Sequence, residues 1–339
     1  MENNRLVELD AIRGIAALAV VIFHYFYRYN NIYGHEALSV EWAALGKFGV
    51  QLFFMVSGFV IYWTLNRVNK PVDFIVSRFS RLYPTFWFSA ILTFTIVFIW
   101  GLPGREVNIH QAIMNIFMFH EYIGGKHIDG VYWTLTIELT FYFWIFTFFV
   151  TGILRYTEYL FSPLILISIL QSQGFIEISF WLNKLFILEY LSYFLAGICF
   201  YKVVNKSANK LTYAILALCL ISTLFVFSQK VFLISLAFYV FFFFAISGRL
   251  KFLSVKPLIF LGGISYSLYL LHQNIGYVII NKFYGLGIDP IISIITAICV
   301  SILLAYFTTR FVEKPSLIAI RSAYRQISGY YEKSLTSKE

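Results

Sequence analysis

Residues 9–26 read LDAIRGIAALAVVIFHYF, an apolar run close to the length of a membrane-crossing helix that nevertheless carries the cation Arg13 and the imidazole of His24. Burying such groups in a bilayer is costly, so a helix that keeps them gives each a partner or a task. At about 100° per residue, the Arg13-to-His24 interval closes three turns to within about 20°. That sets both side chains on one face, roughly 16 Å apart along the axis. Asp10 shares this face, three residues before Arg13. Either Arg13 snorkels to the membrane boundary beside Asp10 while His24 caps the far end, or the face lines a working cavity. Acidic Glu8 and Asp10, the internal His24 and the lack of a small-residue cleavage site argue against a cleaved signal, so the run is expected to stay a helix.

The rest of the chain has the same character. Hydrophobic residues are 60% of its 339 positions and charged residues 13%, with a mean hydropathy of +0.76, a balance that excludes a soluble globule. Apolar runs recur near 9–28, 48–66, 82–101, 131–153, 159–171, 181–203, 211–228, 231–247, 258–281 and 289–312. They predict an all-α, polytopic integral membrane protein of about ten transmembrane helices. Ala112–Phe119, inside a long connection, is expected to be re-entrant or interfacial.

Of the 26 Lys and Arg residues, eighteen fall at the N-terminus, in loops 67–81, 154–158, 202–210 and 248–257, and toward the C-terminus; seven fall on the opposite side. The positive-inside rule makes the richer side, and both termini, cytoplasmic. The expected organisation is one transmembrane domain, 1–315, and a cytoplasmic tail, 316–339. The net charge of +9 is then a topology signal rather than a nucleic-acid footprint, because the basic residues are scattered and no nucleic-acid motif accompanies them. Cys199, Cys219 and Cys299 lie in apolar runs without disulfide or ligand spacing, and His35, His110, His120 and His127 sit at outer loops without zinc spacing. No metal is expected.

Three further stretches carry polar groups into apolar surroundings. VSRFSRLYPTFW (76–87) places Arg78 and Arg81 one turn apart, either as a positive-inside anchor or as two guanidiniums facing one anion. GVYWTLTIELTFYFW (130–144) puts Glu138 inside a span, with Thr134 a turn before it and Tyr142 a turn after. Such a carboxylate either pairs with a membrane arginine or serves chemistry. GGISYSLYLLHQNI (262–275) strings Ser265, Tyr269 and His272 along one stripe, suited to helix packing or to lining a cavity.

In order, LDAIRG with His24, GVQLFFMVSGFVIY (49–62), RxxRLYPTFW, GVYWTLTIE, SYSLYLLH and FVEKP (311–315) resemble the acyltransferase-3 family of integral-membrane acyltransferases. Thr134 departs from the pattern, standing where serine is common. The resemblance implies transfer of an acyl group, usually acetyl, from cytoplasmic acyl-CoA to a carbohydrate hydroxyl at or beyond the outer face of a bacterial inner membrane. Lipopolysaccharide O-antigen, exopolysaccharide or a similar glycan or glycolipid would be the acceptor. On that reading Arg78 and Arg81 hold the donor's phosphates, and His24 is the general base or, alternatively, the nucleophile. Glu138 orients a histidine or pairs with Arg13, and Arg13 contacts the donor. Asp10, Ser57, Trp133, Tyr269 and His272 surround the cavity. The rival is a proton-coupled carrier of a sugar or lipid-linked glycan, which intramembrane Arg, His and Glu also suit.

Overall fold

A computed structural model describes residues 7–35, 38–68 and 70–336, with side chains to residue 328. Among the described residues there is no strand. The first helices are α1 (Val7–Ile22), α2 (Tyr29–Tyr33), α3 (Gly49–Leu65), α4 (Pro71–Trp100) and α5 (Ile109–Met114). They are followed by α6 (Trp133–Val150), α7 (Thr157–Ser172), α8 (Phe180–Leu185), α9 (Leu191–Val204) and α10 (Lys210–Val226). The last four are α11 (Gln229–Ile246), α12 (Lys256–Gly285), α13 (Pro290–Thr308) and α14 (Lys314–Thr336).

The molecule is a multi-pass membrane protein. Among the described residues six helical stretches are long and apolar enough to cross a bilayer: Val7–Tyr33, Glu41–Leu65, Pro71–Trp100, Gly130–Val150, Gln229–Ile246 and Pro290–Ser328. Leu191–Val204 and Lys210–Val226 are apolar but shorter. The run 181–203 is divided, because the chain turns between α8 and α9 and Ile187 takes a positive φ of 46°. Ala112–Phe119 is largely non-helical. The six-residue α5, whose second half is Ala112–Met114, is far too short to cross, and its first turn is closed by reciprocal Asn108–Gln111 hydrogen bonds.

The chain divides into two compact units. One comprises Met1–Tyr27, Glu41–Arg67 and Trp133–Gly263, the other Arg28–Val40, Val68–Tyr132 and Ile264–Glu339. In the first unit α3 and α9 meet backbone to backbone. A Cβ on Gly58 would lie 2.0 Å from the Phe194 carbonyl oxygen, and one on Gly197 would lie 2.1 Å from that of Met55. Only glycine permits this approach, the small-residue contact by which membrane helices associate. In the second unit α14 lies against α4, where Tyr324 donates to Asp73 at 2.7 Å.

Two π turns interrupt the α-helical ladders, at Phe23–Arg28 and Thr309–Glu313. A π turn holds more residues than an α turn, so the same-face extrapolation from Arg13 carries unchanged only to Ile22. His24 is the second residue of the altered register.

Candidate active site

In the first unit, His24 is half-buried and its Nδ1 lies 2.8 Å from the Val20 carbonyl. A carbonyl only accepts, so Nδ1 carries the proton and the lone pair of the neutral ring is on Nε2. Arg13 approaches Asp10 at 4.0 Å, with both side chains less than a fifth exposed.

Glu138, half-buried on α6, is met by hydroxyls. Ser57 Oγ of α3 donates to Oε1 at 2.7 Å, and the Tyr142 hydroxyl, one turn along α6, donates to the same oxygen. Ser57 and Tyr142 also lie 3.1 Å apart, closing a three-membered network. Because Ser57 precedes Gly58, the α3–α9 contact fixes the residue that holds the carboxylate. Trp133, the first residue of α6, packs its ring 5.4 Å from that of Tyr190.

In the second unit, Arg78 donates to Ser77 Oγ at 3.2 Å from within α4. Arg81 follows one turn later, where Arg321 of α14 approaches and donates to Ser80 Oγ at 3.3 Å and Ser77 Oγ at 3.1 Å. His272 is fully buried, and its Nδ1 lies 2.8 Å from the Tyr269 carbonyl and 3.1 Å from that of Leu268, so its lone pair too is on Nε2. Tyr269 donates to the Val131 carbonyl at 3.4 Å. Ser265 is fully buried on the same helix.

Asp10, Arg13, His24, Ser57, Trp133 and Glu138 thus belong to the first unit, and Arg78, Arg81, Tyr269 and His272 to the second. Sequence reasoning missed a second buried carboxylate, Asp129. It accepts from the Asn274 amide at 2.9 Å and the Val131 amide at 3.1 Å, while Arg105 donates to Asn274 Oδ1 at 3.2 Å. Burial raises the Asp129 carboxyl to about 6, against the pull of those two amides and of Arg105. The run HQN within α12 was the available signal. Glu313 of FVEKP, which the sequence left without a role, accepts from Ser267 at 2.9 Å and Thr309 at 3.1 Å across the second π turn. His120 is not a solvated loop histidine, being 1% exposed with its Nε2 2.7 Å from His127 Nδ1. Among the described residues no three His, Cys, Asp or Glu side chains converge as metal ligands.

Fold and polar groups together define a multi-pass helical protein with a base-competent histidine and a hydroxyl-clasped carboxylate in its apolar helices. The chain belongs to the acyltransferase-3 family, whose acyltransferase-domain model matches residues 6–310. It is 26% identical to an O-acetyltransferase OatA of Staphylococcus aureus across 91% of this chain and 56% of that protein. It is also 27% identical to Nodulation protein 10 of Rhizobium leguminosarum bv. viciae across 39% of this chain and 41% of that protein. Protein 2 in picA locus, from Rhizobium radiobacter, is 32% identical over 32% of this chain and 56% of its own length. The chain therefore spans about half the length of these relatives. No solved structure matches it.

Proposed function

We propose that this chain transfers an acyl group, acetyl by preference, from cytoplasmic acyl-CoA to a carbohydrate hydroxyl at the outer side of a bacterial inner membrane. Family membership over residues 6–310 supports acyl transfer, and the name of the S. aureus relative supports acetyl as the group and oxygen as its destination. The observation that carries the chemistry is the His24 tautomer: with Nδ1–H held by the Val20 carbonyl, Nε2 is the atom that takes a proton.

In the direct route Nε2 removes the acceptor hydroxyl's proton as its oxygen attacks the thioester carbon. The C–S bond breaks and the proton passes to the CoA thiolate, leaving an O-acyl ester and free CoA. In the covalent route Nε2 attacks the thioester carbon and the C–S bond breaks to release the CoA thiolate. The acceptor oxygen then attacks the acyl-imidazole, the C–N bond breaks to restore the ring, and the hydroxyl proton balances the thiolate as free thiol. Arg78 and Arg81 contact donor phosphate, Arg13 polarises the thioester carbonyl, and Glu138 supplies fixed negative charge for the imidazolium. Asp10, Ser57, Trp133, Tyr269 and His272 shape the cavity. Residues 1–315 form the transmembrane domain and 316–339 the cytoplasmic tail.

The test is purified protein in nanodiscs with radiolabelled acetyl-CoA and a crude glycan pool, comparing wild type with His24→Ala. Label should move to glycan, with release of free thiol, only when His24 is present. A wild-type protein that folds but consumes no acetyl-CoA would remove the acyltransferase reading and favour a carrier.

A further inference from the structure

A cavity of about 490 Å³ opens in the first unit where the last turns of α3 and α9 approach the connection after α6; Tyr62, Trp63, Arg67, Arg155, Tyr201 and Lys202 line it. We propose that this cavity binds the adenine nucleotide of the donor, its phosphates on Arg67 and Arg155 and its base among the aromatic rings. The inference rests on the acyl-CoA reading above and adds a site of whose lining the motifs contain only Tyr62.

Three observations converge on a nucleotide. The first is size, since roughly 300–1,000 Å³ is the usual range for small-molecule sites. The second is chemistry. Three cations and three aromatics share one concavity, and the cations already lie against π faces: the Arg67 guanidinium is 4.7 Å from the Trp63 ring centre, and Lys202 Nζ is 5.7 Å from that of Tyr62. Planar guanidiniums suit phosphate, and aromatic faces take a base by stacking. The third is preorganisation. Tyr62 donates to the Leu154 carbonyl at 3.4 Å and packs edge-on against Tyr201 at 5.6 Å. Lys202 is held at 2.9 Å by Glu158, itself 1% exposed and accepting from Thr212 at 3.2 Å.

That ion pair decides the division of labour. Glu158 neutralises Lys202 and makes it a wall, and the planar forks of the two arginines suit phosphate better than an ammonium does. Loops 67–81, 154–158 and 202–210, which bear these cations, lie on the basic side of the chain, where acyl-CoA is found. An anionic lipid headgroup offers the same phosphate chemistry but has no use for the rings, so the rings argue for a nucleoside.

The probe is 3′-phosphoadenosine 5′-diphosphate, measured by calorimetry on the full chain in zwitterionic nanodiscs, alongside acetyl-CoA turnover. Arg67→Gln with Arg155→Gln should weaken binding about 10- to 100-fold and Trp63→Leu about 5- to 100-fold, while Trp63→Phe, which keeps a ring, stays near wild type. Matched melting temperatures separate lost binding from lost fold. Wild-type-like binding by folded pocket variants, with loss only in Arg78→Ala/Arg81→Ala, overturns the inference and leaves the acyltransferase reading intact. Pocket-dependent binding without acyl transfer keeps the inference and removes that reading. Displacement of the probe by phosphatidylglycerol, with no dependence on Trp63, identifies a headgroup site and overturns the inference.

Discussion

Each compact unit holds a cluster of cations, and the clusters differ in what surrounds them. Arg78 donates to Ser77 within its own helix α4, while Arg321 of α14 donates to Ser77 and Ser80 of α4 and ties the two helices together. Around α3, α9 and the turn after α6, Arg67 and Lys202 lie over rings at the edge of a 490 Å³ concavity. Arg321 therefore serves cohesion between helices, while Arg67 and Lys202 border a concavity. What separates them is the neighbour: serine hydroxyls accept from Arg78 and Arg321, whereas Arg67 and Lys202 lie over aromatic faces.

The largest effect should fall outside both clusters. His24→Ala should cut turnover about 10²- to 10⁴-fold, the usual worth of a general base, with donor affinity within about twofold of wild type by calorimetry. A parallel loss of affinity would mean that His24 also holds the donor. Next, Glu158→Ala strands the largely buried Lys202 charge beside two arginines and should cost about 3–5 kcal/mol, read as a lowered melting temperature that Lys202→Met restores in the double variant.

Smaller again, Arg321→Ala removes the hydrogen bonds to Ser77 and Ser80 at a half-buried site and should cost about 1 kcal/mol, with nucleotide binding unchanged. A loss of nucleotide affinity there would erase the contrast between the clusters. A pH-dependent effect concerns Asp129, whose carboxyl rises from 3.8 to about 6 in the fold. The neutral form is favoured, so its stabilisation is complete below the unfolded value and is lost as pH rises through about 6. The melting difference between Asp129→Asn and wild type should therefore shift in favour of the variant over that window and stay level outside it.

The membrane class, the all-helical fold and the family were legible because apolar runs and motif order are local properties of the chain. Tyr142 stands one turn from Glu138 in sequence, so half of the clasp around that carboxylate was readable; Ser57, from another helix, supplies the other half. Arg321 was hidden because its donors meet Ser77 and Ser80 across more than two hundred residues of sequence. The π turn at Phe23–Arg28 was hidden because apolar periodicity is read at 3.6 residues per turn and is blind to one inserted residue.

By itself the sequence determined that the chain crosses a membrane, which residues carry charge into it, and to which family they belong. Those conclusions need only transfer free energies and helix periodicity, which are properties of a residue and its near neighbours. Tertiary structure alone decided which oxygen Glu138 shares with which hydroxyls, which ring nitrogen of His24 keeps the lone pair, and which cations border a cavity. Each of these depends on contacts between segments remote in sequence, or on a backbone turn that no side-chain pattern announces.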